Sequence, residues 1–325
     1  MNASGSYTFH GLRLRVSAPD DILRAFHARL ASLPPDGIGG YDSPDLLFEV
    51  EPGQPFERPE GARPVYDPPL GEVSYDDGCD LLYLQHGPRL RALCEPAAGR
   101  VRFSIQAPEQ APEEEDLWVL SHPLLSVPMM ELLKRRGLFA VHAAGASLGN
   151  RALVLAGTSG SGKSTLSLAL ARAGFGFLGD DTLFLVRRPE GLRVLAYPDE
   201  VDLTEETVSF FPEVEPWLAP SPPGWRKRQI RAEQAFGAPV VWESAPAVLV
   251  FPRVSGRSRS EVRPIDSGEA LLELAPNVLL TEPGSSQAHL DALAELARAS
   301  RCYRMETGSD LDEAVRLLHG LLGAP

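Results

Sequence analysis

The stretch GTSGSGKSTLSLALARAG, residues 157–174, constrains the fold of this chain more than any other part of it. It lies between a short apolar run, RALVLAG, and an apolar segment that stops at Gly174. Gly157, Gly162, Lys163 and Ser164 satisfy the pattern G-x-x-x-x-G-K-[ST], which requires a buried strand leading in and a helix leading out. Glycines let the backbone curl until successive N–H groups point inward, and the following helix adds the positive end of its dipole. The strand-then-helix order places this part of the chain in the α/β class.

The surrounding sequence extends that reading. TLFLVRR, LRVLAY and AVLVFPRV read as strands, and SSQAHLDALAELARAS as a helix striped with Leu290, Leu293 and Leu296; DLDEAVRLLHGLLG repeats the helical design. The first hundred residues differ. YTFHGLRLRVSA and CDLLYLQHGPRLRALCEPAAGRVRFSI are strand-like runs broken by Gly, Pro and Asp. Between them DDILRAFHARLASL sets Ile22, Leu23, Phe26 and Leu30 on one helical side. The proline-rich run from Pro52 to Pro69 reads as an irregular connection, and APEQAPEEEDL as a domain boundary. After it, LLSVPMMELLKRRG reads as a helix with basic residues near its end and a glycine stop. The expected organisation is a smaller β-rich α+β domain over residues 1–112, for substrate recognition or association, and an α/β domain with the glycine-rich loop over 113–325.

Composition bounds the partners. With a formal net charge of −13, the chain is not expected to bind nucleic acid or an anionic membrane indiscriminately. No apolar run approaches the ~20 residues that cross a bilayer. The opening MNASGSYTFH has neither the basic patch nor the apolar run of a secretory signal. Cys79, Cys94 and Cys302 are far apart without a CxxC pair, which argues against zinc or a disulfide framework and suits a reducing cytoplasm.

The loop carries the chemistry. Gly157, Thr158, Ser159, Gly160, Ser161, Gly162, Lys163, Ser164 and Thr165 are the expected nucleotide-binding residues, with Lys163 on the β- and γ-phosphates and Ser164 offering its hydroxyl to Mg²⁺. FGFLGDD follows the helix and ends on Asp180 and Asp181. Neighbouring carboxylates at a strand end project to opposite sides, so one can face metal and phosphates while the other faces elsewhere. Asp-Asp-Thr is also good helix-capping chemistry, and both readings stand at this point. Upstream, His142 lies on an apolar strand in GLFAVHAAGAS. In PSPPGWRKRQIRAEQAFG, Lys227 or Arg228 could close over a γ-phosphate, or the whole stretch could be a solvated basic loop. PRVSGRSRSEVRP reads as an exposed hairpin or loop, and Trp217 and Trp225 as groove-lining or buried.

Histidine, glycine-rich loop and aspartate pair, in that order, resemble the HPr kinase/phosphorylase family, whose catalytic domain is related to the ATP-dependent phosphoenolpyruvate carboxykinases. The resemblance is specific over about residues 138–185, where His142, GTSGSGKS and GDD match in spacing. It implies ATP and Mg²⁺ as cofactors and a P-loop kinase fold. Asp181 would be the base toward a substrate serine, Asp180 and Ser164 would support the metal, and His142 would tune the carboxylates. The family's downstream glycine-rich segment with a metal-binding glutamate is absent. YPDEVDLTEETVSFFPE stands there, and of Glu200, Glu205 and Glu206 the first is preferred because it follows a strand. The resemblance also admits a homo-oligomer; it gives no support for reverse phosphorolysis. The function expected is transfer of the γ-phosphate to a hydroxyl, serine on a small protein or precursor peptide. The alternatives are a small-molecule kinase and a non-catalytic, ATP-responsive peptide binder.

Overall fold

The computed structural model describes residues 2–35, 43–52, 56–66, 71–106, 112–221, 226–278 and 281–323. Residues 107–111 of the expected boundary, parts of the proline-rich connection (53–55 and 67–69) and Trp225 lie outside them. The chain divides into two compact units, the first holding Met1–Arg136 and Leu280–Ser286 and the second most of the rest. No helix among the described residues is long and apolar enough to cross a membrane.

In the first unit β1 (Ala3–Phe9) and β2 (Leu12–Ala18) form a hairpin, followed by α1 (Asp20–Leu30) and β3 (Leu46–Pro52). Then come β4 (Arg63–Tyr66), β5 (Glu72–Asp76), β6 (Leu81–His86), β7 (Leu90–Glu95), β8 (Arg100–Ile105), α2 (Glu114–Ser121) and α3 (Pro123–Lys134). The described strands make one sheet in the order β1-β2-β3-β8-β7-β6-β5-β4, parallel at β2–β3 and β3–β8 and antiparallel elsewhere. Helix α1 buries Ile22, Leu23, Phe26 and Leu30, the side its spacing predicts.

The division between units falls after Arg136, so α2 and α3 belong to the first unit, whereas the sequence reading put them in the second domain. Packing decides it: α2 rests on α1, and α3 on β7. The basic end of α3 also does more than offset a dipole. Lys134 is 4% exposed; it pairs with Glu131 at 2.8 Å and donates to Thr281 Oγ1 at 2.6 Å. Thr281 in turn donates to Glu131, and Arg135 bonds Glu131 at 3.1 Å and Asp80 at 2.7 Å. Burial would raise the Glu282 carboxyl, but the Ser285 hydrogen bonds and the charges of Lys134 and Arg135 hold it below its ordinary value.

The second unit begins with β9 (Phe139–Val141), β10 (Ala143–Leu148), β11 (Arg151–Ala156), α4 (Lys163–Arg172) and β12 (Gly176–Gly179). It continues with β13 (Leu183–Arg188), β14 (Gly191–Leu195), β15 (Val201–Leu203), α5 (Glu205–Ser209), β16 (Arg228–Ile230) and α6 (Ala232–Phe236). It ends with β17 (Glu243–Val254), β18 (Glu261–Ile265), α7 (Ser267–Leu274), α8 (Pro283–Ala299), of which Gln287 onward falls in this unit, β19 (Arg301–Thr307) and α9 (Leu311–Gly323). Its main sheet runs β12-β10-β11-β17-β14-β13-β9, with β19 joining β17 and β18 joining β19; β15 and β16 form a separate ribbon. Strands β11, β17 and β19 are mutually parallel.

Strand β11 shows why its run is apolar throughout. Leu153 and Leu155 pack with Leu166 and Leu170 of α4 and Leu318 of α9 on one face. Ala152, Val154 and Ala156 pack with Leu274 of α7 and Leu293 of α8 on the other. A strand covered on both faces has no reason to alternate with polar residues. The result is a mixed α/β fold with several sheets.

Candidate functional site

Strand β11 ends at Ala156, and the chain turns through residues 157–162 into α4. Gly160 (φ 80°) and Gly162 (φ 96°) take left-handed backbone that other residues adopt only at a cost, and Gly162 is the residue that opens the helix. Lys163 lies at the first helical position, 6% exposed, its Nζ donating to Gly157 O at 2.7 Å and Thr158 O at 3.2 Å. Burial lowers its pKa against the pull of Asp181 and Asp180, which favour the charged form.

The two aspartates after β12 part company as adjacent strand residues do. Asp180 points inward, 3% exposed, and its Oδ2 accepts from Ser164 Oγ at 2.7 Å. Its Oδ1 is buried without a well-formed hydrogen bond, with only the nearby Ser167 hydroxyl to ease it. Burial pushes Asp180 up to about 6, Ser164 pulling it back and the Asp181 charge pushing it further. Asp181 points outward, its side chain 64% exposed, with Oδ1 3.1 Å from His142 Nδ1. Both are tied to the backbone nearby, since Ala143 N donates to Asp181 O at 3.2 Å and His142 N to Asn277 O at 2.8 Å.

These groups open on one cavity of about 430 Å³, entirely within the second unit. His142, Ser159, Gly160, Gly162, Lys163, Ser164, Thr165 and Asp181 line it, with Asp180 buried behind Ser164 and Gly157, Thr158 and Ser161 completing the loop. Lys227 also lines it. Arg228 does not: it is held by Glu205 at 3.1 Å and Glu215 at 2.8 Å. Glu200, preferred as a metal ligand, faces Arg231 instead, and Glu205 is spent on Arg228. Glu206 does reach the cavity, as does Asp202, whose charge is felt at Asp180. Strand β15 sends Asp202 the opposite way to its buried neighbours Val201 and Leu203, while the ion pair with Arg231 holds Glu200.

Arg257 and Asp202 are among the residues that the sequence reading missed. PRVSGRSRSEVRP was expected to be an exposed hairpin or loop; Arg257 is indeed exposed and pairs with Glu261 at 3.4 Å, and the chain leaving β17 also brings it and Gly256 to the cavity wall. It arrives because β17 is parallel to β11, so both strands end on the same edge, a pairing that no short stretch of sequence spells out. Trp217 is 51% exposed and does not line the cavity.

The donor set suits a small hard cation. A hydroxyl, a buried carboxylate with one oxygen lacking a good partner, and a second carboxylate are oxygen ligands of the kind Mg²⁺ takes alongside phosphates. No family model matches the chain, and no curated protein matches it in sequence. Among solved structures, the chain has a similarity to the Hpr(Ser) kinase/phosphatase from Coxiella burnetii, at 14% identity and a TM-score of 0.30. The match covers 56% of this chain and 96% of that one, and it is too faint to assign a fold or an activity.

Proposed function

We propose that the second unit is an ATP- and Mg²⁺-dependent kinase that transfers the γ-phosphate to a hydroxyl, with serine of a small protein or precursor peptide as the acceptor. One observation carries this reading: a buried Ser164–Asp180 pair and an outward Asp181–His142 pair flank the same loop lysine in a single cavity. A binder of nucleotide needs only the first pair; the second adds a carboxylate placed to take the proton of an attacking hydroxyl.

Lys163 would leave the Gly157 and Thr158 carbonyls for phosphate oxygens, which make stronger, charge-assisted partners. Loop N–H groups and the start of α4 would take the remaining phosphate charge. Ser164, Asp180 and Asp202 would hold Mg²⁺, with Glu206 the remaining carboxylate on the wall. When bound, Mg²⁺ offsets the charge on the phosphates. Asp181 would accept the proton of the acceptor hydroxyl as its oxygen attacks phosphorus, and His142 would orient that carboxylate and share the proton's charge. Lys227 and Arg257 would stabilise the charge on the transferring group. Catalysis is then positioning plus charge neutralisation.

An acceptor on a chain, rather than an enclosed metabolite, fits the openness of the acid–base pair: His142 is 40% and Asp181 64% exposed at the side chain. The test is incubation with γ-labelled ATP, Mg²⁺ and a serine-containing peptide library, beside free sugars and nucleosides. Label on peptides supports the reading. Label on free metabolites alone moves the assignment to a small-molecule kinase, and no label on anything leaves a nucleotide binder.

A further inference from the structure

Strands β11, β17 and β19 run side by side in one direction, so their C-terminal ends open on the same edge of the sheet. The chain leaving β17 is latched to the chain leaving β19. Ser255 donates through both its N–H and its hydroxyl to Thr307 O, each at 3.0 Å. Gly308 N donates to Ser260 Oγ at 3.0 Å, Ser309 N to Arg257 O at 2.9 Å and Asp310 N to Ser258 O at 2.9 Å. The approach at Gly308 is so close that a Cβ there would lie 2.4 Å from Ser258 O. This wall of the cavity is therefore rigid.

Two of its side chains are poorly explained by packing. Val254 is 63% exposed although it ends a strand with a buried centre, and its Cγ2 lies 3.4 Å from where a Gly162 Cβ would stand. Thr307 is only 6% exposed, and its hydroxyl is buried with no hydrogen-bond partner. Both line the cavity, with Leu311 beside them. An apolar surface touching a phosphate loop, then an unspent hydroxyl, matches the sugar and base of a nucleotide, which have apolar faces and polar edges.

We propose that Val254, Thr307 and Leu311 receive the base and sugar of the nucleoside triphosphate whose phosphates rest on residues 157–163, an inference that rests on the phosphate-loop reading above. A threonine hydroxyl donates or accepts as it rotates, so this wall gains affinity from a purine without separating an amino from a keto edge.

The test is calorimetric titration of the full chain, with Mg²⁺, against ATP, GTP and inorganic tripolyphosphate. ATP and GTP should bind within about threefold of each other and about tenfold or more above tripolyphosphate. Val254→Ala, at an exposed position that places little demand on folding, should cut that margin about three- to tenfold and leave tripolyphosphate unchanged. Thr307→Val should do the same, and Thr307→Ser should restore it. Equal affinity for ATP and tripolyphosphate, or a margin that survives both substitutions, removes the base wall and leaves the phosphate loop standing. Strong preference for one purine overturns the amino–keto tolerance. If neither ATP nor tripolyphosphate binds, the loop reading falls and this inference with it.

Discussion

The two units each bury charged groups, and they treat them in opposite ways. In the first unit Glu131 has Lys134, Arg135 and Thr281, and Glu282 has Ser285 and Lys134. In the second, Asp180 has Ser164 on one oxygen and nothing of good geometry on the other, and the hydroxyls of Ser161 and Thr307 are buried without partners. Leaving a buried polar group unpartnered costs about 1–3 kcal/mol. A network that has satisfied itself is architecture. Groups left short at the rim of one cavity are held ready for something that arrives.

The contrast breaks first at Lys134. Lys134→Met leaves Glu131 and Glu282 buried with less compensation, and should lower stability by about 3–5 kcal/mol in urea unfolding. A loss under about 1 kcal/mol would mean the cluster is not the structural core described here. Asp181→Asn is the counterpart in the second unit. It should reduce phosphoryl transfer by about 10²–10⁴-fold while nucleotide affinity and melting temperature hold. An unchanged transfer rate takes Asp181 out of the base role.

Asp180→Asn sharpens the comparison, because stability and activity should move in opposite directions. The folded pKa of about 6 lies above the ordinary 3.8, so the fold binds this proton more tightly than the unfolded chain does. The group therefore contributes stability that is full below about pH 3.8 and is lost as pH rises from there through about pH 6. In chelator at pH 8 the asparagine variant should be more stable by on the order of 3 kcal/mol, and at pH 5 by about half of that. An equal gain at both values would rule out the charge as its cause. Mg²⁺-dependent transfer should disappear in the same variant. The smallest effect is expected at Arg228. Arg228→Ala should leave transfer within about twofold, since exposed pairs with Glu205 and Glu215 hold that side chain. Arg257→Ala should lower transfer at least about tenfold.

What could be read from the sequence follows from how local each signal is. The loop, its leading strand and its trailing helix are contiguous, and the buried face of α1 is spelled out by Ile22, Leu23, Phe26 and Leu30. His142 and Asp181 lie 39 positions apart, yet they sit one and two residues past strands of one sheet, and the structure sets them 3.1 Å apart. The other cavity residues depend on long-range order. Asp202 rather than Glu200 faces the cavity because Arg231 on another segment claims Glu200. Arg257 arrives from β17, the parallel neighbour of β11, and Thr307 on β19, the parallel neighbour of β17, and no window of residues reveals those pairings. The unit boundary is hidden for a similar reason, since α2 and α3 are placed by α1 and β7, far back in the chain.

Residues Leu280–Ser286 belong to the first unit although second-unit segments lie on both sides of them in the chain. Neither unit is therefore one uninterrupted length of polypeptide. During synthesis Lys134 emerges 147 positions before Thr281, so the first sheet can form well before its buried charges are fully matched. A ribosome stalled in that interval would present a half-neutralised core, a species for chaperones to recognise, and a gene cut at either unit border would encode two fragments that lack part of themselves.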